Sequence, residues 1–433
     1  MKKTGWMMLG SGMLAHALLA QHIEIVSNHT NGLYACGEEA GFSIRAYTGA
    51  DRKSPLKEGV LSISLTNDGW TELKKSSVQL ATTDVAVISG TLKTPGFIMC
   101  RVAYQGASKT NVTWGVAFDP HQIRPGSEKP ADFDVFWDRA VAKLDREVTL
   151  DPRAEKLEKY SCANYESFLV SFATFDQKRV YGYLCVPKNV KQPMPVLVQV
   201  PGAGPGVSAP MTGLASRGII TLVMNVHLFA PVTGDAEAQK KVYDAFNDDI
   251  KKQEGVERYC VSSALTRETY FYYRVILGIN RAVNWLAARP DVDKTRFWYS
   301  GTSQGGGFGF YLCGLNTHFT QGVSHVPALT DLLGYTQQRT SGWPRLVEAY
   351  PEAKKEAVVR VAPYFDGAHF ATRITCPYAV SIGFIDSTCP PSACYAGYNS
   401  LRVAQKRVVH GLGMSHRVFP EIYRALDFPT NGH

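Results

Sequence analysis

The chain has 433 residues, of which 45% are hydrophobic, 19% are charged and 11% are aromatic. These proportions are typical of a globular protein and exclude a chain that is disordered throughout. The length is sufficient for two or three domains, and we expect two. The net charge is +8, but the lysines and arginines are scattered along the chain, so we expect no nucleic-acid binding.

Residues 1–20 have the pattern of a secretory signal peptide. They begin with Lys2 and Lys3, continue with an apolar stretch and end on small residues. The apolar stretch is shorter than the ~20 residues that a membrane-spanning helix needs. We therefore expect an exported protein, periplasmic or extracellular and of bacterial type, without a membrane span.

The nine cysteines do not show the paired spacing that is typical of zinc sites, so the sequence predicts no metal. Cys36 and Cys100 lie in strand-like segments of the same region. They are either a disulfide, which export permits, or two buried free thiols. Because the number of cysteines is odd, at least one thiol stays unpaired in a monomer.

Residues 21–118 predict a small all-β domain. Six short runs of alternating apolar and polar residues are separated by clusters of Gly, Asn, Asp, Ser and Thr, and they read HIEIV, GFSIRAY, VLSISL, VAVISGTL, FIMCRVAY and NVTWGVAF. This spacing is typical of an immunoglobulin-like sandwich. The domain lacks a polar cluster suited to chemistry, so we interpret it as a spacer or interaction module. The alternative is carbohydrate binding through an exposed Trp70 or Trp114.

Residues 119–130 contain three prolines without periodicity and are predicted to be a linker. In residues 131–433 an amphipathic helix is followed by apolar strands, PVLVQV and IITLVMNV among them, that alternate with helices. Buried strands of this kind indicate an α/β domain with a mostly parallel sheet and helices on both faces.

The sequence Gly301-Thr302-Ser303-Gln304-Gly305 fits the G-x-S-x-G motif between a predicted strand and a predicted helix. This motif holds a nucleophilic serine on a sharp turn, where small neighbours let other backbone segments pass close to it. We therefore predict that Ser303 is a catalytic nucleophile.

A serine needs a histidine base and a carboxylate that orients the base. Asp386 follows the apolar strand YAVSIGFI, and His416 follows the strand KRVVH, which is the chain order of an α/β-hydrolase. The competing residues are His410, at a strand end, and Asp366 and His369, for which a turn role is the simpler interpretation.

The tetrahedral intermediate of such a reaction requires two N–H donors for its oxyanion. We expect one from the backbone of Gln304, at the helix start, and one from Ala203, in the glycine-flanked loop after PVLVQV. His227 and His325 each follow an apolar strand and are candidates for lining the substrate pocket.

Four segments of the second domain carry a family resemblance. They are RETYFYYRVILGINRAVNWLAARPDVD, GTSQGGG, PYFDGAHFATRITCPYAVSIGFID and STCPPSACYAGYN. From about Asp132 to the C-terminus the chain resembles the acetyl xylan esterase/cephalosporin-C deacetylase family of carbohydrate esterases. The resemblance implies an α/β-hydrolase fold, removal of acetyl groups from esterified sugars and a triad of Ser303, Asp386 and His416. It implies no metal or organic cofactor.

The chain departs from the family pattern at two places. His227-Leu228-Phe229 stands where the family has Arg-Gly-Gln, and His416-Arg417 stands where it has His-Glu. The first change lies near the floor of the active site, and we expect Phe229 to narrow the acyl slot. An added N-terminal domain can block the ring-like oligomer of the family. The sequence is compatible with either a monomer or an oligomer.

The sequence thus predicts an exported serine esterase that removes acetyl groups from O-acetylated saccharides, xylan-type or other plant glycans, through an acetyl-serine intermediate. Two alternatives belong to other classes. One is a secreted serine peptidase, and the other is a non-catalytic glycan-binding protein on the same fold.

Overall fold

The structure is a computed structural model that describes residues 22–106 and 109–424, so the predicted signal peptide lies outside the described residues. The N-terminal domain contains the strands β1 (His22–Ser27), β2 (Leu33–Tyr34), β3 (Ala40–Tyr47), β4 (Val60–Asn67), β5 (Thr71–Gln79), β6 (Ala86–Gly90), β7 (Gly96–Gln105) and β8 (Lys109–Phe118). The second domain contains α1 (Phe133–Glu147), β9 (Arg153–Lys156), β10 (Tyr165–Ala173), β11 (Arg179–Pro187), β12 (Met194–Val200), α2 (Thr212–Ala215), β13 (Ile220–Met224), α3 (Ala236–Glu254), α4 (Phe271–Ala287), β14 (Val292–Thr302), α5 (Gln304–Leu315), β15 (Gln321–His325), α6 (Glu352–Val361), α7 (Gly367–Ala371), β16 (Tyr378–Gly383), α8 (Pro391–Ser400), β17 (Lys406–Gly411) and α9 (Glu421–Arg424).

The N-terminal domain is a sandwich of two sheets, with strand orders β1-β3-β6 and β2-β8-β7-β4-β5. Along β3 and β4, buried and partly exposed residues alternate, because successive side chains of a strand point to opposite faces. The inward side chains of both sheets, such as Phe42 and Ile63, form one core. The strand β5 was not predicted from the sequence.

The second domain is built on a nine-stranded sheet of order β17-β16-β15-β14-β12-β13-β11-β10-β9. The six strands from β13 to β17 in this order are parallel, and the remaining pairs are antiparallel. The strands β13 and β16 are wholly buried, which explains their largely apolar sequences. This sheet with its helices confirms the predicted α/β-hydrolase fold.

The segment 119–130 is fixed against the second domain. It begins with a short 3₁₀ turn at Pro120–Gln122, and the side-chain amide of Asn399 donates to the carbonyl oxygens of Pro120 and Ile123, both at 2.8 Å. Ile123 is 1% exposed and belongs to the core of the second domain. The two domains are therefore joined by a packed segment.

All nine cysteines lie in the described residues and are free thiols, Cys36 and Cys100 included. Burial raises the pKa of Cys36 to about 11 and that of Cys100 to about 12. Within residues 22–106 and 109–424, none of the helices combines the length and the apolar character needed to cross a membrane.

Candidate active site

Ser303 lies on a strained turn between β14 and α5. Its backbone has φ 58° and ψ −121°, a conformation that non-glycine residues rarely adopt and that costs on the order of 1–3 kcal/mol. The surroundings hold it there, because the Ser303 N–H donates to the His325 carbonyl at 2.9 Å and the Ser303 carbonyl accepts from the N–H groups of Gly307 and Ala328.

The two glycines of the motif are required because backbone atoms of other residues lie very close to them. A methyl group on Gly301 would lie 2.3 Å from the carbonyl oxygen of Gly305, and one on Gly305 would lie 1.9 Å from the carbonyl oxygen of Val200. Both distances are shorter than any tolerated contact. The turn therefore accepts only glycine at these positions.

Asp386 and His416 come together from two different loops. Asp386 follows β16, is fully buried, and has one carboxylate oxygen, Oδ2, 2.7 Å from His416 Nδ1. Its other oxygen accepts from the backbone N–H groups of Thr388 and Cys389 at 2.8 and 2.9 Å. The His416 side chain is 29% exposed, so the ring is partly accessible from outside.

Cys389 connects this pair to the serine. The thiol lies close enough to Ser303 for the serine side chain to oppose the rise of its pKa, and its sulfur lies within 4.8 Å of the ligand atoms of Asp386 and His416. Burial raises the pKa of Cys389 well above its usual range, so the group is a thiol at neutral pH. Cys389 was not predicted from the sequence, although its place three residues after Asp386 was a usable signal.

Gln304, the residue after Ser303, is held in place by two tyrosines. It is fully buried, and its side-chain oxygen accepts hydrogen bonds from the hydroxyls of Tyr259, at 2.7 Å, and Tyr272, at 2.6 Å. As the first residue of α5 it presents a backbone N–H that has no partner within the helix. The two tyrosines were not identified from the sequence.

The loop 202–204 passes directly beside the nucleophile. A methyl group on Gly202 would lie 3.8 Å from Ser303 Cβ, and Ala203, the next residue, is exposed. Both predicted oxyanion donors, the N–H groups of Gln304 and Ala203, thus belong to segments that border Ser303.

His227 is buried, and Phe229 is half-buried beside it. Their rings are stacked, with centroids 5.0 Å apart, and the ring of Tyr259 lies edge-on to His227 at 4.9 Å. Neither ring nitrogen of His227 has a hydrogen-bond partner among the described residues, and burial lowers its pKa to about 4. The neutral imidazole therefore belongs to an aromatic cluster that also holds Gln304 through Tyr259.

His325 has surroundings that do not support the predicted contact with substrate. Its side chain is fully buried, with Nδ1 3.0 Å from the Ser381 hydroxyl and the ring 5.0 Å from that of Tyr423 in α9. Burial lowers its pKa to about 4. Only its backbone carbonyl reaches the site, where it accepts the Ser303 N–H.

The competing residues have structural partners. His410 is the last residue but one of β17 and stacks on Phe384 at 4.7 Å. Asp366 caps α7 and accepts from the N–H groups of Asp331, Leu332 and Ala368. Burial raises the pKa of Asp366 to about 6.

A further competing residue, His369, lies within α7, where its Nε2 is 3.2 Å from the Ser127 hydroxyl. Burial lowers its pKa to about 4. Its partner is thus in the segment between the two domains rather than at the nucleophile.

A serine on a strained strand-to-helix turn, with an aspartate and a histidine at the carboxyl edge of the same parallel sheet, is the arrangement of an α/β-hydrolase. Residues 119–421 match the model of the family described as acetyl xylan esterase (AXE1). The chain belongs to this family and is a carboxylic-ester hydrolase, as its resemblance predicted.

Known relatives agree with this assignment. The acetyl esterase Axe7A of Xylanibacter ruminicola is 31% identical over 396 residues, which cover 89% of this chain and 84% of that protein. The alignment therefore extends into the N-terminal domain.

Among solved structures, the acetyl xylan esterase from Paenibacillus sp. R4 is 27% identical with a TM-score of 0.59, and covers 71% of this chain and 96% of its own. Acetyl xylan esterase 1 from Thermoanaerobacterium sp. JW/SL YS485 is 19% identical with a TM-score of 0.57 at the same coverages, and shows the likeness in fold.

Proposed function

We propose that the protein is a serine esterase that removes acetyl groups from O-acetylated saccharides. The observation that carries the proposal is the 2.7 Å contact between His416 Nδ1 and Asp386 beside the strained Ser303. With Nδ1 engaged, the Nε2 of His416 is the nitrogen that takes the proton of the Ser303 hydroxyl.

The reaction has two halves. Ser303 Oγ attacks the acetyl carbon while His416 takes its proton; the ester C–O bond then breaks, and His416 returns the proton to the sugar oxygen. Water attacks the acetyl-serine in the same way, which releases acetate and restores the hydroxyl. The backbone N–H groups of Gln304 and Ala203 stabilise the oxyanion in both halves.

The acetylated saccharide as substrate is supported by the relatives, which are named acetyl esterase and acetyl xylan esterase. Acetate release from acetylated xylan, acetylated mannan, acetylated pectin and simple acetylated sugars tests it. We expect release from at least one acetylated saccharide. Cleavage of peptide bonds without release of acetate would support the peptidase alternative instead.

We further propose that the protein is exported and that residues 1–20 are removed. The lysines at the start and the short apolar stretch support this. Expression with its own N-terminus in a bacterial host, followed by mass measurement of the exported protein, tests it. Recovery of the full-length chain from the cytoplasm alone would contradict it.

A further inference from the structure

The N-terminal sandwich packs against the two loops that carry Asp386 and His416. Gly115, on β8, donates its N–H to the carbonyl oxygen of Leu412 at 3.0 Å. Leu412 directly follows β17 and begins the loop that ends at His416. The sandwich thus forms a backbone hydrogen bond with the loop of the histidine.

The same glycine touches the loop of the aspartate. A methyl group on Gly115 would lie 2.5 Å from the carbonyl oxygen of Phe384, which follows β16 two residues before Asp386. The ring of Phe97, on the neighbouring strand β7, meets the Phe384 ring edge-on at 5.0 Å and is fully buried. One residue of the sandwich therefore lies against the backbone of both loops.

Two more contacts join the sandwich to the segments around Gly115. The Trp114 ring covers Gly413, where a methyl group would lie 2.8 Å from a ring carbon. Asp68, on the turn after β4, is 2% exposed and accepts the Ser392 hydroxyl at 2.5 Å. Ser392 lies in the first turn of α8, directly after the loop that contains Asp386 and Cys389.

From these contacts we propose that the N-terminal domain is a positioning element of the active site, in which the backbone of Gly115 sets the separation of the Asp386 and His416 loops. The inference rests on the triad proposed above. Beyond the ends of their strands the two loops are joined by the N–H groups of Phe384 and Ile385, which donate to the carbonyl oxygens of Gly411 and Met414 at 3.0 and 3.2 Å, and Gly115 contacts both segments. The 2.7 Å contact between the Asp386 and His416 side chains depends on the spacing of these loops. A shift of about 1 Å in such a group can lower turnover by about 100-fold.

The substitution Gly115→Ala tests the proposal, because its methyl group meets a backbone oxygen that must move. Gly41→Ala is the matched control: Gly41 lies on β3 of the other sheet, where a methyl group would meet nothing closer than the Asn28 side chain at 3.7 Å. The readouts are kcat and KM for p-nitrophenyl acetate, with thermal unfolding of both variants.

We expect Gly115→Ala to lower kcat by about 10- to 100-fold with KM changed less than about twofold, and Gly41→Ala to leave both unchanged. If Gly115 had only a structural role, the substitution would lower the unfolding temperature without a selective loss of kcat. A folded Gly115→Ala protein with the kcat of Gly41→Ala would overturn the inference.

If Gly115→Ala does not fold, the pair Trp114→Ala and Trp114→Phe decides the question. The proposal expects Trp114→Ala to lower kcat and the aromatic Trp114→Phe to restore most of it; equal kcat in both variants and the wild type overturns it. An active Ser303→Ala protein would overturn the proposed function and this inference together. An inactive Ser303→Ala protein beside a fully active Gly115→Ala protein would overturn this inference alone.

Discussion

His416 Nδ1 lies 2.7 Å from the carboxylate of Asp386, although the two residues come from separate loops after β17 and β16. The carboxylate holds the imidazole ring in one orientation and stabilises its protonated form during the reaction. Asp386 is fully buried and accepts two backbone hydrogen bonds besides, so the position of the carboxylate is fixed by more than its contact with the histidine.

Replacement of His416 distinguishes it from the neighbouring His410. We expect His416→Ala to lower kcat by on the order of 10⁴-fold or more, since His416 is the proposed base that takes the Ser303 proton. His410→Ala removes a ring that stacks on Phe384, so we expect a lower unfolding temperature and a much smaller loss of kcat. Turnover of p-nitrophenyl acetate checks both, and the reverse order of severity would identify His410 as the base.

Asp386→Asn should leave the fold intact and lower kcat by roughly 10²- to 10⁴-fold, because the amide misorients the imidazole and does not stabilise its charge. Asp366→Asn is the comparison, since Asp366 caps α7 and makes hydrogen bonds to backbone N–H groups only. We expect it to affect stability rather than kcat. Near-normal activity of Asp386→Asn would point to Asp366 instead.

Phe229 is predicted to restrict the acyl slot. It is half-buried and stacked on His227, within the aromatic cluster that supports Gln304. We expect acetyl esters to be cleaved better than butyryl or octanoyl esters, by ~10- to 200-fold in kcat/KM for each methylene that does not fit, and Phe229→Ala to reduce this preference. p-Nitrophenyl acetate, butyrate and octanoate measure it. If Phe229→Ala shows the same preference among the three esters as the wild type, only the role given to Phe229 is wrong.

Asp68 should make stability depend on pH. Burial raises its pKa from 3.8 to about 7 in the folded protein, although Arg339 opposes the shift and Asp331 adds to it. The folded protein therefore keeps this proton in a range where the unfolded chain has lost it, so the free energy of unfolding falls as pH rises from about 4 to about 7. The contribution is at most about 4 kcal/mol.

Asp68→Asn removes this titration. We expect the variant to gain stability relative to the wild type as pH rises from about 4 to about 7, as measured by chemical denaturation at each pH. His227, His325 and His369 have the opposite effect, because their lowered pKa values weaken the fold as pH falls toward 4. Both proteins contain these histidines, so their effect cancels when the two free energies of unfolding are compared. A constant difference between the two proteins at all pH values would contradict the role of Asp68.

The nucleophile turn could be predicted because its signals are local. Gly301 and Gly305 are required by contacts within a few ångströms, and the apolar strand and helix on either side are visible in the sequence. The positions of Asp386 and His416 followed from chain order, since the carboxyl ends of parallel strands lie at one edge of the sheet.

Other features depend on contacts that are distant in sequence. Strand β5 is exposed along nearly its whole length, so it has no apolar alternation, and the 19-residue helix α3 is largely polar with only a few buried side chains. The hydrogen bonds from Tyr259 and Tyr272 to Gln304, and the contact of Gly115 with both catalytic loops, join residues that no short motif connects. His325 is the last residue of β15, at the carboxyl edge of the sheet where an active-site residue would lie, yet its side chain lies against α9.

The most direct test of Ser303 as the nucleophile is turnover of p-nitrophenyl acetate by Ser303→Ala. The substitution removes one hydroxyl and leaves the turn, the Asp386–His416 contact and the core intact, so the protein should unfold at nearly the wild-type temperature. We predict a loss of kcat on the order of 10⁴- to 10⁶-fold. A folded Ser303→Ala protein that retains more than about a few per cent of wild-type turnover would contradict the assignment of Ser303 as the nucleophile.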